Sequence, residues 1–170
     1  TGDWSSDVCS SDLHFLVPMV RPEQRALFET SAARAGLAID RLDFRPGQAH
    51  DILQAADAAL IASGTATLEA LLLDCPHVIT YLVPRFSFWL MQRTACSDMV
   101  GLPNILAGRH IVPEMIQEKA RPDLLADAVD RLLVDADAAG AMRAAFAPIR
   151  ASLRRDTQSA VAEALAPFLA

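Results

Sequence analysis

Residues 58–69 read AALIASGTATLE, and they contain the clearest signals of secondary structure in the chain. The first five of these residues form an apolar run that is too short for a helix and is typical of a buried strand. Ser63 and Gly64 interrupt the run, since glycine lets the backbone turn sharply. A helical pattern then runs to Leu73, with Thr65 placed to cap it. The stretch therefore predicts a strand, a tight turn and a helix.

The same alternation continues on both sides of this stretch. Strands are predicted over residues 14–20, 37–44, 58–62, 78–83 and 99–102. Helices are predicted over residues 23–35, 47–56, 65–73, 86–94, 114–118, 123–134, 137–155 and 157–169, and Pro148 is expected to kink or break the seventh of these. Alternating strands and helices predict an α/β fold, a Rossmann-like parallel sheet with helices on both faces. Ligands of such sheets bind at the carboxyl ends of the strands.

Composition and charge narrow the classes of function. The chain has 170 residues, of which 52% are hydrophobic, so we expect one well-packed domain. Its net charge is -6 and no basic stripe is present, which argues against nucleic-acid binding. No apolar run approaches the ~18 residues that span a bilayer. Cys9, Cys75 and Cys96 fit no zinc-binding spacing, so we expect reduced thiols and no metal site.

The first residues differ from the rest of the chain. Residues 1–13 read TGDWSSDVCSSDL, which is polar and has no strand or helix periodicity. The string resembles translated sequencing-adapter read-through, so we interpret it as a non-native leader, with a natural disordered tail as the alternative. The expected layout is this leader, a sheet domain over residues 14–155, and a C-terminal helix over residues 156–170.

The turn after residue 62 carries chemistry suited to a nucleotide. Hydroxyls of Ser63, Thr65 and Thr67 surround the start of a helix, whose N–H groups and dipole attract phosphate oxygens. Glu69 lies one helical turn after Thr65, and a carboxylate there can accept both hydroxyl protons of a ribose. The alternative is an ordinary capped helix with Glu69 on its surface. The lysine of a P-loop is absent from the motif.

Three stretches carry a family resemblance, and the first of them includes the turn after residue 62. Residues 62–81 (ASGTATLEALLLDCPHVITY), 84–93 (PRFSFWLMQR) and 101–129 (GLPNILAGRHIVPEMIQEKARPDLLADAV) closely resemble the C-terminal domain of lipid-A-disaccharide synthases. The resemblance runs from about residue 14 to the end of the chain. It implies the C-terminal half of a GT-B fold with a helical tail.

The resemblance also implies an activity. Members of the family are inverting, metal-independent UDP-dependent glycosyltransferases of Gram-negative lipid A biosynthesis. They transfer 2,3-diacylglucosamine from UDP to lipid X and release UDP, so the UDP-sugar is a substrate and no cofactor is implied. They act as peripheral proteins on the cytoplasmic face of the inner membrane.

Site residues follow from the resemblance, position by position. Substrate or UDP binding is implied for Ser63, Gly64, Thr65, Thr67, Glu69, Asn104, Arg109, Glu114 and Gln117. The first four match the diphosphate turn, and Glu69 matches the ribose-binding acid. Arg109 has two interpretations, stabilising the charge on departing UDP or anchoring its own loop.

Some parts of the family's sequence pattern have no match in this chain. Its opening strand, its Pro-Gly-Ser-Arg loop and its N-terminal domain have no counterpart in this sequence. The resemblance places the acceptor site and the general base on that domain, so we assign no catalytic residue here. We therefore expect a donor-binding fragment of a longer enzyme, inactive alone.

The aromatic stretch over residues 84–93 suggests contact with lipid. Arg85, Phe86, Phe88 and Trp89 combine apolar rings with a cation, as in segments that lie on a membrane or against acyl chains. The alternative is a helix packed into the core or against a subunit, and an exposed apolar stripe on the last helix would favour a homo-oligomer.

Two other functions remain open from the sequence. One is a different GT-B UDP-sugar enzyme of cell-envelope synthesis, and the other is a non-catalytic module that binds nucleotide or membrane. The LPN-LAGR stretch, residues 102–109, favours lipid-A-disaccharide synthesis over both.

Overall fold

The computed structural model describes residues 13–18, 21–37, 39–62, 64–84, 99–154, 161 and 165–166. The chain divides into two compact units, Thr1–Ala56 and Asp57–Ala170. Both units contain parallel strands with interleaved helices, which confirms the predicted α/β class.

The first unit contains two strand–helix repeats. Its elements are β1 (Phe15–Val17), α1 (Pro22–Arg34), β2 (Leu42–Phe44) and α2 (Ala49–Ala55). The two strands pair in parallel, with Phe15 opposite Leu42. A 3-10 turn over Ile39–Arg41 precedes β2, so the strand predicted over residues 37–44 forms only in its last three residues.

The second unit holds a three-stranded parallel sheet in the order β3-β4-β5. Its elements are β3 (Ala59–Ala62), α3 (Thr65–Leu72), β4 (His77–Tyr81), α4 (Leu102–Ala107), β5 (Glu114–Ile116), α5 (Pro122–Val134) and α6 (Ala136–Leu153). Ala62 lies opposite Thr80 between the first two strands, and Tyr81 lies opposite Ile116 between the last two.

The core of this unit covers both faces of the central strand. Val78 and Ile79 are successive residues of β4 and both are fully buried. Because successive strand residues point to opposite faces, helices must cover the sheet on both sides, as predicted. Leu71 of α3 and Phe146 of α6 complete the centre of the cluster.

A kink or a break was predicted at Pro148; helix α6 continues through the proline, so the break is wrong and the kink stays a prediction. Phe146 and Ile149, on either side of the proline, are buried. The helix is also tied to the loop before β4, because Nη1 of Arg150 lies 3.1 Å from Oδ1 of Asp74. Packing on both sides of the proline outweighs the backbone hydrogen bond that it cannot donate.

Two short elements were predicted with the wrong type. Residues 99–102 form no strand, since Pro103 lies in the first turn of α4, where its fixed φ suits a helix. The strand is instead Glu114–Ile116, where a helix was predicted, because pairing with β4 determines the conformation of these three residues. The helix predicted over residues 86–94 and most of that over residues 157–169 lie outside the described residues.

Candidate functional site

The candidate site lies where the three strands of the second unit end. β3 ends at Ala62 and is followed by Gly64, β4 leads into Val83, and β5 leads into Gln117. Since the strands are parallel and adjacent, these ends lie along one edge of the sheet, which we call the carboxyl edge. This is the edge at which α/β sheets bind ligands.

The turn at Gly64 is held in a conformation that requires glycine. Gly64 has φ 137° and ψ -163°, a region that L side chains rarely adopt. The hydroxyl of Thr67, which is fully buried, donates to the carbonyl oxygen of Gly64 at 2.7 Å, and its N–H donates to the same oxygen at 3.2 Å. The buried threonine therefore fixes the turn from inside.

The helix after the turn begins differently from the prediction. Gly64 occupies the N-cap position and makes no side-chain cap, whereas Thr65 is the first helical residue and is exposed. Thr65 was predicted as the cap, and this assignment is wrong by one position. The first N–H groups of α3 lie at the carboxyl edge; that of Thr67 donates to the carbonyl of Gly64, and those of Thr65 and Ala66 precede the first turn of helical hydrogen bonds. Ser63 lies outside the described residues.

Glu69 lies on α3, one turn beyond Thr65. The helix is continuous between them, so the two side chains share a face as predicted. Glu69 is partly buried, which leaves part of its side chain accessible. A carboxylate at this distance from the turn can contact a ribose whose phosphates lie at Gly64 and Thr65.

Asn104 is fully buried and its side chain is used within the protein. Its Oδ1 accepts from the N–H groups of Ile111 at 2.7 Å and Val112 at 2.9 Å. Its Nδ2 donates to the Val112 carbonyl at 2.9 Å and to Oε1 of Glu114 at 2.7 Å. With both donor hydrogens and both acceptor positions engaged, Asn104 shapes the loop before β5. Its contact with a nucleotide remains a prediction.

Glu114 also contacts backbone at a distant point of the chain. Its carboxylate accepts from the N–H of Val100 at 3.0 Å and from that of Gly101 at 2.9 Å. These groups lie at the start of α4, where a negative charge is favourable. The bonds from Asn104, Val100 and Gly101 together satisfy the partly buried carboxylate.

Gln117 faces the end of β4. Its Oε1 accepts from the N–H of Val83 and its Nε2 donates to the carbonyl of Val83, both at 3.0 Å. Gln117 itself has φ 52°, which is unusual for a residue with a side chain. The structure thus places Gln117 at the carboxyl edge, together with the Gly64 turn.

Arg109 lies elsewhere. It is exposed and stands between α4 and β5, where the chain enters β5 at the opposite edge of the sheet. There it lines an open groove of about 1200 Å³ along β5, α5 and α6, with His110, Lys119 and Arg131. The structure does not bring Arg109 together with the Gly64 turn, and its two predicted roles remain predictions.

Two titratable groups are buried at this opposite edge. His77 is fully buried, and this burial lowers its pKa below the ordinary value. Its Nδ1 lies 2.9 Å from the carbonyl of Cys75, and its ring centroid lies 5.7 Å from that of Phe146. Burial raises the pKa of the Cys75 thiol to about 11. Both residues belong to the packing of the fold.

The sequence analysis missed two residues that take part in the hydrogen bonds around the candidate site, Val83 and Gly101. Val83 presents backbone groups rather than a side chain, so no motif reveals it. Gly101 is buried, and an added Cβ would lie 2.3 Å from Cδ1 of Ile79. The only signal was a glycine directly before Leu102 and Pro103, which indicates a helix start but not a close contact.

Comparisons with known proteins place these features in a family. A profile described as lipid-A-disaccharide synthetase matches residues 7–166. The chain is 47% identical over 153 residues to the lipid-A-disaccharide synthase of Dechloromonas aromatica, covering 89% of this chain and 40% of that protein. It is 46% identical to the enzyme of Aromatoleum aromaticum over 93% of this chain, and 39% identical to that of Klebsiella pneumoniae over 91%. The chain spans about 40% of the length of each.

Proposed function

Since the chain belongs to the lipid-A-disaccharide synthetase family, we propose that it holds the UDP part of the donor in the synthesis of the lipid A disaccharide. The donor is UDP-2,3-diacylglucosamine and the acceptor is lipid X. The family match favours this reading over another GT-B enzyme and over a non-catalytic module.

The Gly64 turn is the observation that carries the proposal. The parallel strand β3 ends there, with Ile61 buried and Leu60 exposed, and α3 starts at once with Gly64, which has no side chain, at its N-cap position. A diphosphate at this point accepts hydrogen bonds from the first N–H groups of α3 and lies at the positive end of the helix dipole. Glu69, one turn further along α3, then takes the ribose hydroxyls.

This arrangement supports the departure of UDP. Negative charge builds on the diphosphate as the sugar bond breaks, and N–H groups already oriented toward it stabilise that charge. In our proposal the reaction is a single inverting displacement, and the helix start takes the charge without a metal or cofactor.

The proposal assigns the general base to a part of the enzyme beyond this chain. His77 is the first residue of β4 and His110 precedes β5, so within the described part of the second unit both stand at the edge opposite the Gly64 turn. A base must lie within hydrogen-bond reach of the acceptor hydroxyl. We therefore propose that the chain binds UDP but transfers no sugar alone.

Calorimetry with UDP tests the binding role. Glu69→Ala is expected to weaken UDP binding about tenfold, because the ribose loses hydrogen bonds to a charged group. Asp130→Ala is the control, since Asp130 is an exposed carboxylate on α5. Equal affinity of the wild type and Glu69→Ala would remove the ribose role of Glu69.

We further propose that the protein acts at the inner face of the cytoplasmic membrane as a peripheral protein, where its acylated substrates lie. Within the described residues, no helix has the length and apolar character needed to cross a membrane. The residues expected to contact lipid, Arg85, Phe86, Phe88 and Trp89, lie outside the described residues. The proposal rests on their sequence and on the family's substrates.

Flotation with anionic vesicles tests the membrane role. Trp89→Ala and Arg85→Ala are each expected to reduce the bound fraction, because one removes an interfacial ring and the other a cation facing headgroups. Arg121→Ala is the control, since it removes an exposed arginine beyond β5. Unchanged flotation of both test variants would rule out this contact.

A further inference from the structure

Two side chains near β5 bind the backbone at both ends of residues 84–99. Gln117 makes two hydrogen bonds to Val83, just before that segment. Glu114 accepts hydrogen bonds from Val100 and Gly101, just after it. The two side chains stand three positions apart in the sequence, and together we call them the β5 clasp.

The bonds from Gln117 imitate strand pairing. An amide side chain offers one acceptor and a donor side by side, and here they meet the N–H and the carbonyl of the same residue. They hold Val83 beyond Tyr81, the last β4 residue that pairs with β5. The side chain thereby extends the contact between β4 and β5 past the end of the ladder.

The backbone conformation of Gln117 is energetically unfavourable, so the hydrogen bonds to Val83 must offset that strain. A residue with a Cβ is unfavourable at φ 52°, and such positions persist only where surrounding interactions fix them. The two bonds to Val83 are interactions of this kind. Val83 follows β4 at the same carboxyl edge as the Gly64 turn follows β3, because Thr80 lies opposite Ala62 in the neighbouring strand.

We propose that Gln117 is a positioning residue of the UDP site, which acts by holding Val83, while Glu114 fixes the chain where it returns at Val100. The proposal rests on the proposed function and deepens it. Both polar atoms of the Gln117 side chain are engaged by Val83, so the residue serves the nucleotide through the backbone it holds rather than by direct contact.

The test compares Gln117→Ala with Val83→Pro, which removes the N–H that Gln117 accepts. We measure amide hydrogen exchange at Val83 without ligand, and UDP affinity by calorimetry, in the full chain. Gln117→Ala is expected to speed exchange at Val83 about tenfold and to weaken UDP binding about fivefold, as the loss of one or two hydrogen bonds implies. Glu118→Gln, at an exposed neighbour, is the control.

The double variant separates positioning from direct contact. If Gln117 acts through Val83, the double variant binds UDP no more weakly than the weaker single variant. Losses that multiply, or a loss of affinity in Gln117→Ala with unchanged exchange at Val83, would overturn the proposal. Should Val83→Pro fail to fold, the exchange and affinity of Gln117→Ala decide the question by themselves.

Failure of the proposed function gives a different result. In that case the wild type shows no heat of UDP binding, and the positioning role for UDP falls with it. Exchange at Val83 still shows whether the β5 clasp holds the backbone, because that measurement uses no nucleotide.

Discussion

Gly101→Ala is expected to lower the free energy of unfolding by about 1–3 kcal/mol, the usual cost of an extra methyl group in a packed core. The new Cβ would lie 2.3 Å from Cδ1 of Ile79 and 3.1 Å from Oε1 of Glu114. Ile79 is fully buried in β4 and has little room to move away. The substitution therefore strains the contact between the start of α4 and the centre of the sheet. Urea unfolding measures the effect.

Two further substitutions, Ile79→Val and Gly140→Ala, act as controls for Gly101→Ala. Ile79→Val removes the Cδ1 methyl that clashes, so Gly101→Ala should cost less in that background than in the wild type. Gly140→Ala should instead stabilise by about 0.5–1 kcal/mol, because alanine is favoured inside a helix. Gly140 is exposed on α6, and apart from its chain neighbours and the backbone of its own helix its added Cβ would meet no described atom within 4 Å. A Gly101→Ala variant as stable as the wild type would contradict the close packing.

Acid is expected to destabilise the second unit through His77. Burial lowers the pKa of this histidine in the folded protein, whereas the unfolded chain keeps the ordinary value of 6.5. Above that value both states are neutral and the stability is fully present. As the pH falls below it, only the unfolded chain takes up the proton. Stability then falls by up to about 1.4 kcal/mol per pH unit, until the folded pKa is reached.

His77→Asn isolates this contribution. Its amide can donate to the Cys75 carbonyl as Nδ1 does, but it does not titrate. The variant should be less stable at neutral pH because a cavity remains, and its stability should fall less steeply between about pH 6.5 and pH 5. The carboxyl of Asp123, whose pKa is lowered by a hydrogen bond from Arg121, titrates alike in both proteins. If the unfolding free energies of the wild type and His77→Asn fall equally steeply with pH, protonation of His77 does not destabilise the folded protein.

The sequence predicted well those elements that local pattern determines. The helices now seen as α3 (Thr65–Leu72) and α5 (Pro122–Val134) were found close to their observed bounds, because each has a clear start signal and enough residues for a period. The three-residue strand Glu114–Ile116 was missed, since so short a segment has no period and pairing with β4 decides its conformation.

In the candidate site, too, local features could be predicted from the sequence and contacts between distant residues could not. The Gly64 turn could be found because its strand, glycine and helix are consecutive in the sequence. The contact of Gln117 with Val83 could not, since 34 positions separate the two residues and the partner is backbone. Asn104 and Glu114 were recognised as polar residues of a motif, but no sequence pattern indicated that their side chains form a hydrogen bond of 2.7 Å.

A UDP titration of the isotopically labelled chain, followed by amide chemical shifts, tests whether the Gly64 turn holds the diphosphate. We predict that the largest shifts fall on Gly64, Thr65 and Thr67, at the carboxyl edge of the sheet. The residues Arg109 and Arg131, which line the groove along β5, α5 and α6, should change little. Largest shifts in that groove, or no shifts at the Gly64 turn at saturating UDP, would contradict the proposal that this turn holds the diphosphate.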